Sequence, residues 1–320
     1  MIDIGRIEMV NDKIHQYLKP TRLDKSQYLG ANVFLKFECE QPAVRSFKIR
    51  GVLGKLLMLT EEEKKKRIVT ISSGNQGVCT AYAAKLLGLP RPLIYVPENS
   101  PVPKLHKMEK YGAEIVKIGK SFDEANVLAE KEIEGKAYVR VDCREDPDGV
   151  CGHASMAEEI MKQNPDVEAI ILPMGSGGCS IATGSYIKQK YPKVKVYGVE
   201  SDESPALIEN LRTGVWKKTY PTKPGALLQS LVGGVAKHTF LNAEECVDEI
   251  LTVSDEEAGR AVTQLARYEK AVCEPDSAAA YAAYQKYKDK FAGKVVAIDL
   301  SGANIDDKIF KKLIDLYYDM

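Results

Sequence analysis

Three glycine-containing turns and one lysine segment hold the residue types in this chain that could do chemistry. Gly175-Ser176-Gly177-Gly178-Cys179 follows an apolar run and opens a helical stretch. Glycines let a ligand approach the backbone, and the free N–H groups of a helix start attract an anion, so a phosphate group suits this turn. A tight strand-to-helix turn would need the same residues, and the pattern alone leaves both readings open. It is not a P-loop, because no Gly-Lys-Ser/Thr follows, and Ser180 stands where a GxGxxG fingerprint needs its third glycine. Ser72-Ser73-Gly74-Asn75-Gln76-Gly77 offers two hydroxyls, an amide and backbone N–H groups at another helix start. That set suits a carboxylate, but the pattern alone favours a plain N-cap with a Gly-rich turn. Ser301-Gly302-Ala303-Asn304 ends a third apolar run, where a hydroxyl meets a ligand or caps the next turn. In Ser46-Phe47-Lys48-Ile49-Arg50-Gly51 a lysine sits beside an aromatic ring. An amine must be neutral to act as nucleophile or base, a state favoured by burial; by composition alone, though, one lysine among many is a surface charge. Glu274-Pro275 reads as the start of an Ala-rich helix. His153 reads as a hydrogen-bonded structural residue or an acid–base group, and Cys79, Cys179 and Cys273 read as packing residues.

Positioning these turns requires strands and helices in alternation. Runs rich in Val and Ile predict strands at Ile68–Ile71, Leu93–Val96, Glu114–Ile118, Tyr138–Val141, Ala169–Leu172, Val194–Val199 and Val295–Leu300, all expected to be buried. Helices are expected at Gln76–Leu87, Pro103–Tyr111, Phe122–Ile133 and Ser180–Gln189, three of them stopped by a glycine just beyond. Such alternation implies an α/β fold with parallel sheets covered by helices, and 320 residues imply about two domains. The three turns fall at carboxyl ends of strands, where open α/β sheets bind ligands, so they are expected to form one site. Trp216–Lys237, with several Gly and Pro residues, is expected to be irregular.

Composition narrows the function classes. Equal numbers of basic and acidic residues, 45 each, give no reason to expect nucleic acid or an acidic membrane surface as partner. No apolar run reaches the roughly 20 residues that span a bilayer, and the first residues lack a secretory pattern. The seven cysteines are odd in number with no Cys-x-x-Cys pair, and the four histidines are scattered, which argues against disulfides and a zinc site. A reduced, cytoplasmic protein with no metal is expected.

Taken in order, the segments resemble the fold-type II enzymes that use pyridoxal 5′-phosphate (PLP), the group of serine and threonine dehydratases, serine racemase, threonine synthase and cysteine synthase. The resemblance covers nearly the whole chain. It begins at Pro20-Thr21-Arg22-Leu23, continues through Lys36-Phe37-Glu38, the SFKxRG-like Ser46–Gly51, Ser72-Ser73-Gly74-Asn75 and Tyr111-Gly112-Ala113, and ends with the glycine turn, Cys273-Glu274-Pro275 and Ser301–Asn304. It is most similar to the dehydratase and racemase branch. The resemblance implies a tryptophan synthase β-like fold: a large PLP-binding domain from 1–52 and 147–320, a small mobile domain from 53–146 that receives the substrate carboxylate, and the cofactor between them. It also implies residue roles. Lys48 carries PLP as a Schiff base and moves the Cα proton. Phe47 packs beside the cofactor, Asn75 bonds its phenolic oxygen, Gly175, Ser176, Gly177, Gly178 and Cys179 cradle its phosphate, and Ser301 meets the pyridine nitrogen. Ser72, Ser73, Gly74, Asn75 and Gln76 receive the substrate carboxylate. The implied reaction is β-elimination of water from L-threonine or L-serine to give a 2-oxo acid and ammonia, in a homodimer or tetramer acting on a small amino acid.

Four departures qualify this. Ser73 stands where many dehydratases of the branch have Ala and serine racemase has Ser, so racemisation with Lys48 and Ser73 as opposed bases stays an alternative. The family's GQGT reads Gly152-His153-Ala154-Ser155, and its ADG segment reads Leu231-Val232-Gly233-Gly234. Its cation site would use Glu200, but Ala206 replaces the second carboxylate. β-Replacement and a non-catalytic binding protein are further alternatives. Only a terminal helix follows Asn304, so an in-chain regulatory domain is not expected.

Overall fold

A computed structural model of the chain describes residues 1–223 and 225–319. Its strands are β1 (Leu23–Lys25), β2 (Val33–Lys36), β3 (Arg67–Ile71), β4 (Leu93–Val96), β5 (Glu114–Lys117), β6 (Tyr138–Arg140), β7 (Ala169–Pro173), β8 (Lys195–Ser201), β9 (Glu249–Val253) and β10 (Val296–Asp299). They form two sheets. One has the order β5-β4-β3-β6 and is parallel throughout. The other has the order β1-β2-β10-β7-β8-β9 and is parallel except for β1, which runs antiparallel to β2. The Val- and Ile-rich runs thus become strands because both faces of a helix-covered parallel sheet exclude water. β5 departs from the expected burial: all four of its residues are half-buried or exposed, because it lies at the edge of its sheet. β1, β2 and β9 were not expected; β1 carries no apolar run, whereas Val33-Phe34-Leu35 of β2 and Ile250-Leu251-Thr252-Val253 of β9 do.

Apolar side chains alternate across the large sheet. Val296, Ile298 and Leu300 face a core with Leu35, Ile171 and Val199, while Ala297 faces a second core with Ile170 and Leu172. That second core continues through helix Lys48–Leu57 and helix Asn75–Leu86 to Ile68, Ile94 and Val139 of the small sheet. One continuous apolar interior therefore joins the two sheets. Between Thr213 and Lys237 no helix or strand forms among the described residues, as the Gly and Pro content predicts.

The chain entering helix Lys48–Leu57 is held in an unusual way. Ala43 and Arg45 take left-handed backbone angles, φ 65° and 54°, which cost energy for residues with a Cβ. Neighbouring backbone compensates. Phe47 N–H donates to the Ser301 carbonyl (2.9 Å), Ala303 N–H donates to the Arg45 carbonyl (2.9 Å), and Ser46 bridges to Gly302. The lysine segment and the turn after β10 are thereby locked together.

Candidate active site

The carboxyl ends of β3, β7 and β10 converge on a cavity of about 400 Å³, in the range of small-molecule sites. Its walls include Lys48, the Ser72–Gln76 segment, the Gly175–Cys179 turn and Ser301. The three turns and the lysine, over 250 residues apart at their extremes, line one space.

Lys48 is the first residue of its helix and half-buried, with its Nζ 4.9 Å from the centre of the Phe47 ring. Phe47 in turn lies 5.1 Å from the His153 ring, centroid to centroid. His153 is only 1% exposed, and burial followed by the nearby Lys48 and Arg50 charges pushes its imidazole well below the usual range. It is a neutral wall residue behind Phe47, packed so tightly that a Cβ on Gly51 would lie 2.5 Å from it.

The glycine turn meets the requirements of an anion cradle. Helix Gly178–Lys190 starts at Gly177 (φ 88°) with no side-chain cap, leaving its first N–H groups free. The Ser180 hydroxyl is buried there without a protein partner, and so is the Ser277 hydroxyl elsewhere in the cavity wall. The glycines also answer a packing need. A Cβ on Gly175 would sit 2.0 Å from the Ser230 carbonyl, and one on Gly177 would sit 2.2 Å from Thr239. Cys179 and Cys143 line the cavity as thiols pushed up, mainly by burial.

The second helix start, Asn75–Leu86, likewise has no side-chain cap at Gly74. Ser72 Oγ accepts from Gly74 N–H at 3.2 Å. The Gln76 side chain is committed elsewhere: its amide donates to Thr70 Oγ1 and the Val141 carbonyl and accepts from Cys143 N–H. Gln76 therefore offers the cavity its backbone rather than its amide.

Glu274 is not the simple helix starter that its sequence context predicts. Its side chain makes no cap hydrogen bond. Instead Oε1 accepts from Asn75 Nδ2 (2.7 Å) and Asn304 N–H (3.0 Å), and Oε2 accepts from Lys104 Nζ (3.3 Å). Asn304 Nδ2 donates to Asn75 Oδ1 (2.9 Å), so the Asn75 amide is oriented from both ends. Glu274, Lys104, Arg144, Asp276 and Ser180 all line the cavity and were missed as site residues. No local motif marks them; only the acidic residue beside Pro275 was a visible signal.

The match to known proteins decides the family. Residues 14–302 match the family described as pyridoxal-phosphate dependent enzyme. The chain belongs to that family. This PLP-dependent enzyme is 34% identical to the L-threonine ammonia-lyase of Thermotoga maritima over 91% of its own length and 71% of the relative's. It is 29% identical to the serine racemase of Dictyostelium discoideum, covering 98% of both chains. Its fold matches the crystal structure of a T.th. threonine deaminase with a TM-score of 0.87 at 29% identity, over 95% of this chain and 99% of that one. The enzyme shares the tryptophan synthase β-like fold, and its cofactor is PLP.

The residues present fit that cofactor. An uncapped helix start with an unpartnered serine hydroxyl suits its phosphate, and the cavity holds one lysine beside an aromatic ring. Among the described residues no cluster could hold a metal ion, and the Glu200 carboxylate is turned onto the N–H groups of Leu207 (2.8 Å) and Ile208 (3.2 Å). No described helix is long and apolar enough to cross a membrane.

Proposed function

We propose that this enzyme is an ammonia-lyase that removes water from a β-hydroxy amino acid, L-threonine or L-serine, to yield a 2-oxo acid and ammonia. The observation that carries this reading is Ser301, a hydroxyl rather than a carboxylate, at the β10 end of the cavity that holds Lys48. A serine at the pyridine nitrogen cannot stabilise a protonated ring by charge, which leaves a weaker electron sink and favours rapid loss of the β-substituent over a long-lived carbanion. The Thermotoga relative's activity points the same way.

In this reading Lys48 holds the cofactor through its amine and takes the Cα proton. Phe47 packs against the ring, Asn75 bonds its phenolic oxygen, and Gly175, Ser176, Gly177, Gly178 and Cys179 hold the phosphate with the Ser180 hydroxyl. Bound PLP supplies the delocalisation that makes Cα acidic. Ser72, Ser73 and Gly74 present the substrate carboxylate to the free N–H groups of Asn75 and Gln76. The small domain, 53–146, closes over the substrate held by 1–52 and 147–320. Assembly as a dimer or tetramer and a cytoplasmic setting belong to the same proposal; the seven cysteines are all free and buried, which suits a reducing compartment.

Incubation with each β-hydroxy amino acid followed by 2-oxo acid detection tests the reading, and no product from any of them refutes it. Lys48→Ala is expected to abolish turnover and the visible absorbance of the bound cofactor together. Racemisation is the second reading, favoured by Ser73, whose half-exposed side chain lines the cavity. Chiral chromatography of L-serine incubations decides it: a D isomer that never accumulates removes it.

A further inference from the structure

Arg144 sits in the turn between β6 and helix Pro147–His153 and lines the cavity, half-buried. Its place in the wall is set from two sides. The preceding Cys143 N–H donates to Gln76 Oε1 at 3.3 Å, which ties the turn to the Ser72–Gln76 segment. A Cβ on Gly178 would lie 3.1 Å from the Cys143 carbonyl and 3.9 Å from Arg144 Cα, which sets the turn against the glycine cradle. Arg144 therefore stands between the segment that suits a carboxylate and the one that suits a phosphate.

The guanidinium is aimed by its own neighbour. Arg144 Nε and Nη2 donate to the two oxygens of Asp142, at 2.9 and 2.8 Å. Among the described residues Nη1 makes no hydrogen bond or ion pair. The outer edge of the fork thus keeps two parallel N–H groups, the geometry that takes a carboxylate in bidentate fashion. Asp142 offsets part of the charge but also holds the fork still, so little freedom is lost when a ligand binds. Arg144 Cζ lies 5.9 Å from the Phe122 ring centre, and both residues also border an adjoining cavity, so this end has room for a group larger than a hydroxyl. The facing wall offers an anion less. Leu231 and Val232 are apolar, and Asp276 beside them accepts from Ser230 N–H at 2.7 Å. The other cations of the cavity are engaged: Lys104 is paired with Glu274, and Lys48 holds the cofactor in the reading above.

We propose that Arg144 is a specificity residue that binds a carboxylate carried on the substrate Cβ, so that the enzyme accepts β-hydroxy dicarboxylic amino acids, of which 3-hydroxyaspartate is the smallest. The inference rests on the elimination reading above. The α-carboxylate meets the Ser72–Gln76 segment, Lys48 takes the Cα proton, and the second carboxylate turns to the Arg144 edge. The Cα–H pair becomes the second Cα–Cβ bond, and the Cβ–O pair leaves with the hydroxyl, which departs as water. Hydrolysis of the enamine consumes one water and gives oxaloacetate and ammonia, so no oxidant or reductant is needed. L-Serine and L-threonine carry no anion on Cβ and leave the Arg144 edge unused.

The test measures kcat/KM of the PLP-loaded enzyme for L-threo-3-hydroxyaspartate and L-serine, as wild type and as Arg144→Met, with cofactor absorbance confirming equal loading. The wild type is expected to favour the dicarboxylate by at least about tenfold, the size of a charge-assisted hydrogen bond. In Arg144→Met the ratio of the two kcat/KM values is expected to fall by roughly 10- to 100-fold. A merely structural defect would lower both and leave the ratio unchanged, and an unchanged ratio overturns the proposal. A second measurement needs neither the variant nor turnover. L-Aspartate and L-asparagine have nearly the same shape, and only the first carries the charge. L-Aspartate is expected to perturb the cofactor absorbance at a concentration at least about tenfold lower than L-asparagine; equal affinities overturn the proposal. Turnover of L-serine or L-threonine but not of 3-hydroxyaspartate also overturns it and leaves the elimination reading intact. Turnover of none of these hydroxy amino acids overturns the elimination reading, and the aspartate comparison then still decides whether Arg144 forms the subsite.

Discussion

Asn75 shows how finely single side chains are set in this cleft. An amide can be turned either way, but here Asn304 donates to its oxygen and Glu274 accepts from its nitrogen, so one orientation is enforced. One Asn75 N–H remains for a ligand. Glu274 is thus a positioning residue, acting through Asn75 and through the Ser301–Asn304 turn. Glu274→Gln weakens charge-assisted bonds worth about 1.5–3 kcal/mol. The expected outcome is a fall of roughly 10- to 100-fold in kcat with KM within about threefold, and a shifted cofactor absorbance band. Steady-state kinetics with a spectrum of the holoenzyme check it; an unchanged spectrum with a risen KM alone would assign Glu274 a different role.

Among elements, the helix starts do the positioning, and they divide into two kinds. Helix Asn75–Leu86 and helix Gly178–Lys190 face the cavity with no side-chain caps. Helix Ala206–Thr213 instead has its first N–H groups taken by Glu200, a carboxyl 1% exposed on β8. Burial raises Glu200 from 4.5 to about 7, and the two N–H donors only partly oppose this. A carboxyl raised in the folded state stabilises most below its unfolded value and loses that contribution as pH rises through its folded value. Glu200→Gln removes the titration. Between pH 4.5 and 8 the variant is expected to gain on the wild type by roughly 3 kcal/mol, from a shift of about two and a half units. Urea unfolding across that range measures the difference; parallel curves would refute it.

At the scale of the molecule, a buried ion network lies beneath the lysine. Arg50, two residues after Lys48, bonds Glu38 (2.7 and 2.8 Å) and Glu159 (both 2.7 Å), and Lys36 Nζ reaches Glu159 at 2.7 Å. These four are 2% exposed or less. Burial pushes Glu38 and Glu159 up, but Arg50, by charge and hydrogen bond, brings both below the usual carboxylate range. Nearby Asp299 has no partner on either oxygen, and burial followed by Glu38 raises it well above the usual range. The network joins β2, the lysine helix and helix Ser155–Gln163 into one block. Arg50→Met leaves two buried carboxylates without their main partner, so a loss of about 3–5 kcal/mol at pH 7 is expected. The depressed carboxylates stabilise above pH about 4.5 and lose this as pH falls through their folded values, so wild type and variant converge in acid. Chemical denaturation at both pH values checks this.

The sequence by itself determined the alternation of strands and helices, the two-sheet α/β class and the three strand-end turns. Val- and Ile-rich runs and glycine stops are local signals, read within a dozen residues. It also carried the family through Ser46–Gly51 and Ser301–Asn304. Strand β1 was not legible, because a short piece such as Leu23–Lys25 owes its pairing to neighbours rather than to its own composition, whereas β2 and β9 carry short apolar runs that were passed over. Lys48 was legible through Ser46–Gly51, but which acids join it in the cleft only the tertiary structure decided. Glu274 meets Asn75 across 199 residues of chain, and Asp276 meets Ser230 across 46. A carboxyl's charge state and reach depend on what surrounds it in space, and no local pattern in the chain encodes those surroundings.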